Sequence, residues 1–357
     1  MVVAANSFAR AAWGPSQHLV ARAVPALLLA LAGCVGTGKQ DALAPAGPQA
    51  ARIAEFFYVS IVLAVAVFVA FCIVLGYGLV RADRRQRRGE ENHLPTEHGR
   101  QLVLWGGLVV PTVILLTLIV FSAVVDRRIT RLGRGPGQNP LTIEVVGHQF
   151  WWEVRYLDAV NPHREFITAN EIHVPAGRPV RLVLQSRDVI HSFWVPNAHG
   201  KTDLIPGRTR DMVLQVDEPG VYRGQCAEFC GIQHAKMAMY IEAHPPAEFE
   251  AWRERQLKPH QKPADAQALK GHDVFMKNGC GVCHSIRGTE AHGRVAPDLS
   301  HFALRRSLAA GTLPNTRGHL GGWIADPQSI KPGNRMPAVP LKGEELRALL
   351  SYLHSLD

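Results

Sequence analysis

The sequence predicts a multidomain membrane protein: two transmembrane α-helices forming a hairpin, then a β-sandwich, then a small all-α domain. Three observations predict this order. Two uncharged apolar runs, Phe56–Val80 and Leu102–Val125, are each long enough to cross a bilayer. Short β-rich runs separated by turn residues follow them. Two signatures rich in metal-binding residues come next, about fifty residues apart: G-Q-C-A-E-F-C-G-I-Q-H-A-K-M at 224–237 and C-G-V-C-H at 280–284.

The chain has 357 residues and a net charge of +9, but its Lys and Arg are dispersed. No basic stripe is interleaved with aromatics, so nucleic acid is excluded as a partner class. The six cysteines are nearly all accounted for: two in each signature, Cys34 at the end of a leader-like segment, and Cys72 in the first apolar run.

Residues 1–33 read as a secretory signal, with Arg10 and Arg22 in a basic region, an apolar V-P-A-L-L-L-A-L-A core, and then L-A-G-C. L-A-G-C resembles the lipobox of bacterial lipoproteins, which implies lipidation of Cys34; ordinary cleavage with an incidental Cys34 is the alternative. Residues 34–55 read as a flexible tether, rich in Gly, Ala, Pro and Gln. The hairpin spans 56–125, with Pro111 inside the second helix. Basic residues flank it six against six, so charge bias leaves the orientation open. An exported N-terminus followed by two spans returns the remainder to the outer side of the bacterial inner membrane, in the periplasm.

Residues 138–245 carry the β-rich runs Leu141–Val146, Glu171–Val174, Val180–Gln185 and Arg210–Val216, which predict a sandwich. In the first signature, soft thiolates and imidazole suit copper. One Cys, two His and a weak Met would hold a single copper. Cys226 and Cys230, four apart, can instead bridge two, with His234 and Met237 nearby. His191 fits as the second histidine. A disulfide, or zinc held by Cys and His, is the alternative on spacing alone.

The runs G-H-Q-F-W-W (147–152), H-S-F-W-V-P (191–196), K-T-D-L-I-P-G-R (201–208) and 224–237, together with the two-helix start, resemble subunit II of haem–copper cytochrome c oxidase over residues 50–245. The resemblance implies a cupredoxin-like fold and a binuclear CuA centre. Its ligands would be His191, Cys226, the Glu228 carbonyl, Cys230, His234 and Met237. The Glu228 side chain would face a magnesium site shared with subunit I, and Phe150, Trp151 and Trp152 would receive electrons. Two positions depart from the family pattern. Phe150 stands where Trp is usual, and Leu104 stands where a Glu at a proton entrance is common, with Glu97 the nearest upstream carboxylate.

Residues 246–267 read as a helical stretch running into a linker, and 268–357 as a haem domain. CxxCH places Cys280 and Cys283 to bond the haem vinyls and His284 to ligate the iron. Met336, 52 residues later, is the expected sixth ligand. His301 and His319 are alternatives read as surface histidines. A-P-D-L (296–299), W-I-A-D-P-Q-S-I-K-P-G (323–333) and a final helix Gly343–Leu356 resemble the class I cytochrome c domain fused to caa-type subunits II. The resemblance implies that the Pro297 carbonyl supports His284.

Taken together, the resemblance implies covalent haem c and CuA passing electrons from periplasmic cytochrome c or a bc1 complex. They would go to the haem a and CuB of subunit I, with subunit III and membrane lipid as further partners. A CuA-bearing nitric oxide reductase subunit, which shares the copper motif, is one alternative, and a stand-alone membrane-anchored electron carrier with no catalytic partner is another.

Overall fold

A computed structural model describes residues 40–89, 97–132 and 140–357. The signal segment and Cys34 lie outside the described residues. Helix α1 (Pro48–Arg87) and helix α2 (Glu97–Arg131) form an antiparallel pair, with Phe56 and Phe121 in ring contact at 5.5 Å. Nearly all their apolar side chains face outward, as expected of helices solvated by lipid or by other membrane helices. A π-turn at Trp105–Val109 precedes Pro111, which sits in the first turn of the renewed α-helix, where its missing N–H costs little.

The tether expected through residue 55 is shorter than its composition suggests. Helix α1 begins at Pro48, and the backbone before it is held by the sandwich. Ala46 N–H donates to Asn197 O at 2.6 Å, Asp217 N–H donates to Ala46 O at 2.8 Å, and the Asn197 amide reaches the carbonyls of Asp41 and Ala44 at 2.9 Å each. A Gly/Ala/Pro-rich segment carries few side chains to pack, but its backbone groups still find partners.

The sandwich has two main sheets. One runs β3 (Phe166–Ala169), β2 (Trp151–Leu157), β1 (Leu141–His148), β5 (Val180–Ser186), β8 (Arg210–Leu214). The other runs β4 (Glu171–Pro175), β10 (Ala238–His244), β9 (Gly220–Gln225). A short pair, β6 (His191–Phe193) and β7 (Thr202–Leu204), lies beside them. Trp152, Tyr156, Ile143, Leu182, Phe193 and Ile241 form a dry core between the sheets. Helix α3 (Pro246–Leu257) belongs to this unit, because Phe249 and Trp252 are buried in the same core. The expected linker over 246–267 therefore starts only after Leu257: the two aromatics one turn apart bury too much apolar surface to leave that helix free.

The last unit is helical: α4 (Ala266–Lys277), α5 (Cys280–Cys283), α6 (Arg317–Ala325), α7 (Pro327–Ile330) and α8 (Gly343–Leu353), with a small pair β11 (Ser307–Leu308) and β12 (Leu313–Pro314). Asp265, Thr316 and Asp326 cap α4, α6 and α7 by accepting backbone N–H groups. Helices α4 and α8 cross closely at Gly271, where a Cβ would stand 2.0 Å from Ala348 O. Leu349, Leu350 and Leu353 of α8 are buried, as their shared face predicts, and Leu346 is partly so.

Candidate metal centres and the seam between them

His191 opens β6, Cys226 follows β9, and Cys230, His234 and Met237 come from the loop leading into β10. The sandwich thus brings together residues 35 and more apart in sequence. Cys226 Sγ lies 3.9 Å from Cys230 Sγ, 3.9 Å from His191 Nδ1 and 3.3 Å from Glu228 O. Cys230 Sγ lies 3.7 Å from His234 Nδ1 and 3.8 Å from Met237 Sδ. Donors sharing one ion through bonds of ~2.0–2.3 Å stand about this far apart. Both cysteines are free and buried thiols. The pair gives up its first proton readily, chiefly because the Cys230 S–H donates to Cys226, helped by His191. Two buried thiols, two imidazoles, a thioether and a backbone carbonyl come together here, and soft sulfurs with imidazoles suit copper.

The surroundings fix these side chains. His191 is fully buried, and its Nε2 meets Asp188 Oδ1 at 2.8 Å, leaving Nδ1 toward Cys226. Burial works against a charged His191, but the hydrogen bonds to Asp188 and Cys226 outweigh it and raise its pKa. Burial likewise opposes the Asp188 charge, yet donation from His191, Gln149 N–H and Val189 N–H brings its pKa down to about 2. Gly147 makes room for the imidazole, since a Cβ there would stand 2.8 Å from His191 Cδ2. Gln149 Nε2 donates to Cys230 O at 2.6 Å. Asp188 and Gln149 were not singled out by sequence reasoning. The only signal for Asp188 is a carboxylate three residues before His191.

The aromatic run is not one exposed surface. Trp152 is fully buried in the sandwich core, edge-on to His191 at 6.0 Å, and Phe150 is 7% exposed. Trp151 alone is half-buried, stacked on His148 at 4.4 Å. Alternation along β2 sends Trp152 inward and Trp151 outward. The Glu228 carboxylate pairs with Lys201 at 3.3 Å, and Glu97 pairs with Arg100 at 3.1 Å.

Comparison with known proteins is decisive at this point. The family described as cytochrome C oxidase subunit II, periplasmic domain, matches residues 141–244, and the cytochrome c family matches 268–357. Cytochrome c oxidase subunit 2 of Alkalihalophilus pseudofirmus is 36% identical over 92% of this chain and 94% of its own length. That of Bacillus subtilis is 30% identical over 92% and 94%. The chain belongs to the cytochrome c oxidase subunit 2 family.

Among solved structures, the periplasmic domain of subunit II of cytochrome oxidase from Bradyrhizobium japonicum is 32% identical. The match covers 32% of this chain and 92% of that one, with a TM-score of 0.30. Membership in the subunit 2 family carries copper in the sandwich, haem in the helical domain, attachment to a membrane, and an oxidoreductase role within a haem–copper oxidase.

In the haem domain, α5 presents Cys280 half-buried and Cys283 exposed. His284 Nδ1 meets Pro297 O at 2.7 Å, which assigns the proton to Nδ1 and leaves Nε2 free to ligate. These residues fit a covalently attached haem. Met336 follows α7 and packs against the domain core, its backbone N–H held by Asn334 at 2.8 Å. His319 is exposed and bound to Thr316 at 2.8 Å. His301 is buried rather than a surface histidine, because Gln256 near the end of α3 and the C-terminal Asp357 lie against it.

The two domains meet in a polar seam. Lys331 is 2% exposed, and its Nζ donates to Phe150 O at 2.7 Å and Ala309 O at 2.9 Å, one carbonyl in each domain. Burial pushes its pKa down to about 7. Glu171 Oε1 accepts from Arg306 N–H at 2.8 Å and Ser307 N–H at 3.1 Å, and Arg335, next to Met336, lies 3.9 Å from Asp188. Lys331 sits in the K-P-G run of the motif at 323–333, which carries no sign of its burial.

Proposed function

We propose that this chain is the electron-input subunit of a bacterial caa-type cytochrome c oxidase of the inner membrane, with both C-terminal domains in the periplasm. Its donor would be periplasmic cytochrome c or a bc1 complex, and its acceptor the haem a and CuB of subunit I, in an assembly that includes subunit III. CuA and covalent haem c, when bound, supply the one-electron redox chemistry. His191, Cys226, Glu228 O, Cys230, His234 and Met237 hold the copper pair. Cys280, Cys283, His284 and Met336 hold the haem.

The observation that carries this reading is the seam. Lys331 ties the Met336 loop to Phe150 O, and Gln149, the preceding residue, hydrogen-bonds the Cys230 carbonyl. The haem-ligand loop and the copper loop are thereby joined through two consecutive residues. Asp188 orients His191 and meets Arg335 from the haem domain. In this reading Phe150 and Trp152 work as buried packing under the seam, and Trp151 is the aromatic left for a docking partner. Cys34 carries lipid as a third membrane attachment, and the Glu228 side chain, with Lys201 displaced, contributes to a magnesium site against subunit I.

The test is rapid reduction of the purified oxidase by reduced cytochrome c. Reduction of haem c first and copper second supports the order. Copper reduced at full rate in a Cys280→Ser, Cys283→Ser chain lacking haem would show that the haem is not on the route.

A further inference from the structure

Outside the copper centre, a second group of metal-binding side chains lies on the outer face of the smaller sheet. Strands β4 and β10 are parallel neighbours, with His173 opposite Glu242. His244 is two residues beyond Glu242 and so projects from the same face. The ligand atoms of His173, Glu242 and His244 all lie within 4.8 Å of one another, and none of the three residues is fully exposed. His173 Nδ1 and His244 Nε2 are 2.8 Å apart, in rings tilted by only 3°. We propose that His173, His244 and Glu242 form a binding site for a divalent transition-metal ion of the zinc class.

Three features suit the site to that ligand. Two imidazoles and one carboxylate are the donor set of a three-ligand zinc site with an open fourth position. The His173 ring is held in place by stacking on Trp252 at 4.1 Å, so ordering it costs little on binding. Burial lowers the pKa of both histidines and keeps them in the neutral form that ligates. On binding, the single proton between the two facing nitrogens moves to the far nitrogen of its own ring, and no electron transfer is involved.

The local charges set the competition. Arg306 of the haem domain holds Glu242 Oε1 at 3.1 Å, and Arg255 and Arg305 add positive charge near His173. Glu171, Glu242 and Glu248 oppose them. The ion would take the Glu242 oxygen that Arg306 does not hold, or displace Arg306. In the second case, occupancy removes one of the contacts across the domain seam.

The test uses the purified, copper- and haem-loaded oxidase after chelator treatment, with zinc added at buffered micromolar levels. Zinc per haem c is measured by equilibrium dialysis. The intact complex is expected to take up one zinc more than a His244→Ala complex. Apparent affinity should fall about tenfold or more in Glu242→Gln. The copper spectrum, unchanged in both variants, reports that the domain is folded. Where His244→Ala alters that spectrum, His244→Gln takes its place. Cobalt supplies a direct readout, with visible bands of imidazole-ligated Co²⁺ present in the parent and lost in the variant. Equal zinc uptake by parent and folded variants, or cobalt bands unaffected by the substitution, would overturn the assignment.

Discussion

In the sandwich, the proposed copper donors come from β6, the end of β9 and the loop before β10, and neighbouring donors stand 3.3–3.9 Å apart. In the helical domain, Cys280, Cys283 and His284 come from one five-residue stretch, and Cys283 is exposed. The contrast follows from how each group is held. A non-covalent copper pair is retained only if several donors are already in place, because ordering them on binding would consume the affinity. A covalently bonded haem needs two accessible thiols and one oriented imidazole, and the bonds themselves do the holding. The copper region is therefore braced from behind by Asp188, Gln149, Gly147 and Trp152, while in the haem motif the imidazole is held by the Pro297 carbonyl and the backbone by Gly293 and Ala296.

The largest effect that breaks this contrast is expected from Cys226→Ser. Removing one central sulfur abolishes the mixed-valence electron paramagnetic resonance signal while haem c attachment continues; a retained signal would refute the bridging role. Next comes Asp188→Asn, which keeps an acceptor for His191 but removes the charge. Partners at this remove typically account for about ten- to a hundredfold in metal affinity. Competition with a copper chelator measures the loss, and an unchanged affinity would show that the brace is dispensable.

Lys331→Met tests whether the two regions work as one. Two carbonyls, Phe150 O and Ala309 O, lose their donor. Leaving buried polar groups unpaired costs about 1–3 kcal/mol each. Hydrogen exchange is expected to speed up around residues 149–151 and 309–311 while the copper spectrum stays constant. No change in exchange would mean that other contacts hold the seam.

The smallest effect is a slope. Burial, then the nearby Glu242, raises the pKa of Glu171 from its ordinary 4.5 to about 7. Between those values the folded chain holds a proton that the unfolded chain has lost, so this group's contribution to stability declines as pH rises from about 4.5 to about 7. Glu171→Gln keeps an oxygen acceptor for Arg306 and Ser307 and should flatten that part of the stability profile. Thermal unfolding at several pH values, with chelator present, checks it.

The parts legible in the sequence were those with local spacing. The hairpin followed from two long uncharged runs. Cys226, Cys230, His234 and Met237 lie within one loop, and CxxCH is contiguous. His191 is far away in the chain and became visible through its own H-S-F-W-V-P run and the family resemblance. Strand β2 was passed over although Trp152, Val154 and Tyr156 alternate with Glu153 and Arg155, because its Trp-Trp start reads as an aromatic motif; that Glu153 is also buried could not be seen in the sequence. The helical stretch that becomes α3 was expected, but its docking on the sandwich was not, because its charges mask the two aromatics that anchor it. Lys331 was out of reach altogether: its partner Phe150 is 181 residues away, and a lysine in a Pro-Gly loop gives no sign of burial.

The central claim is that two redox groups sit on this one chain, joined across the seam. The most direct measurement is copper and haem per chain in the purified protein matured with c-type haem attachment, read together with optical and electron paramagnetic resonance spectra. The account predicts two coppers sharing one delocalised unpaired electron and one low-spin haem c. One copper, zinc in its place, or a Cys226–Cys230 disulfide under copper-loading conditions would contradict it.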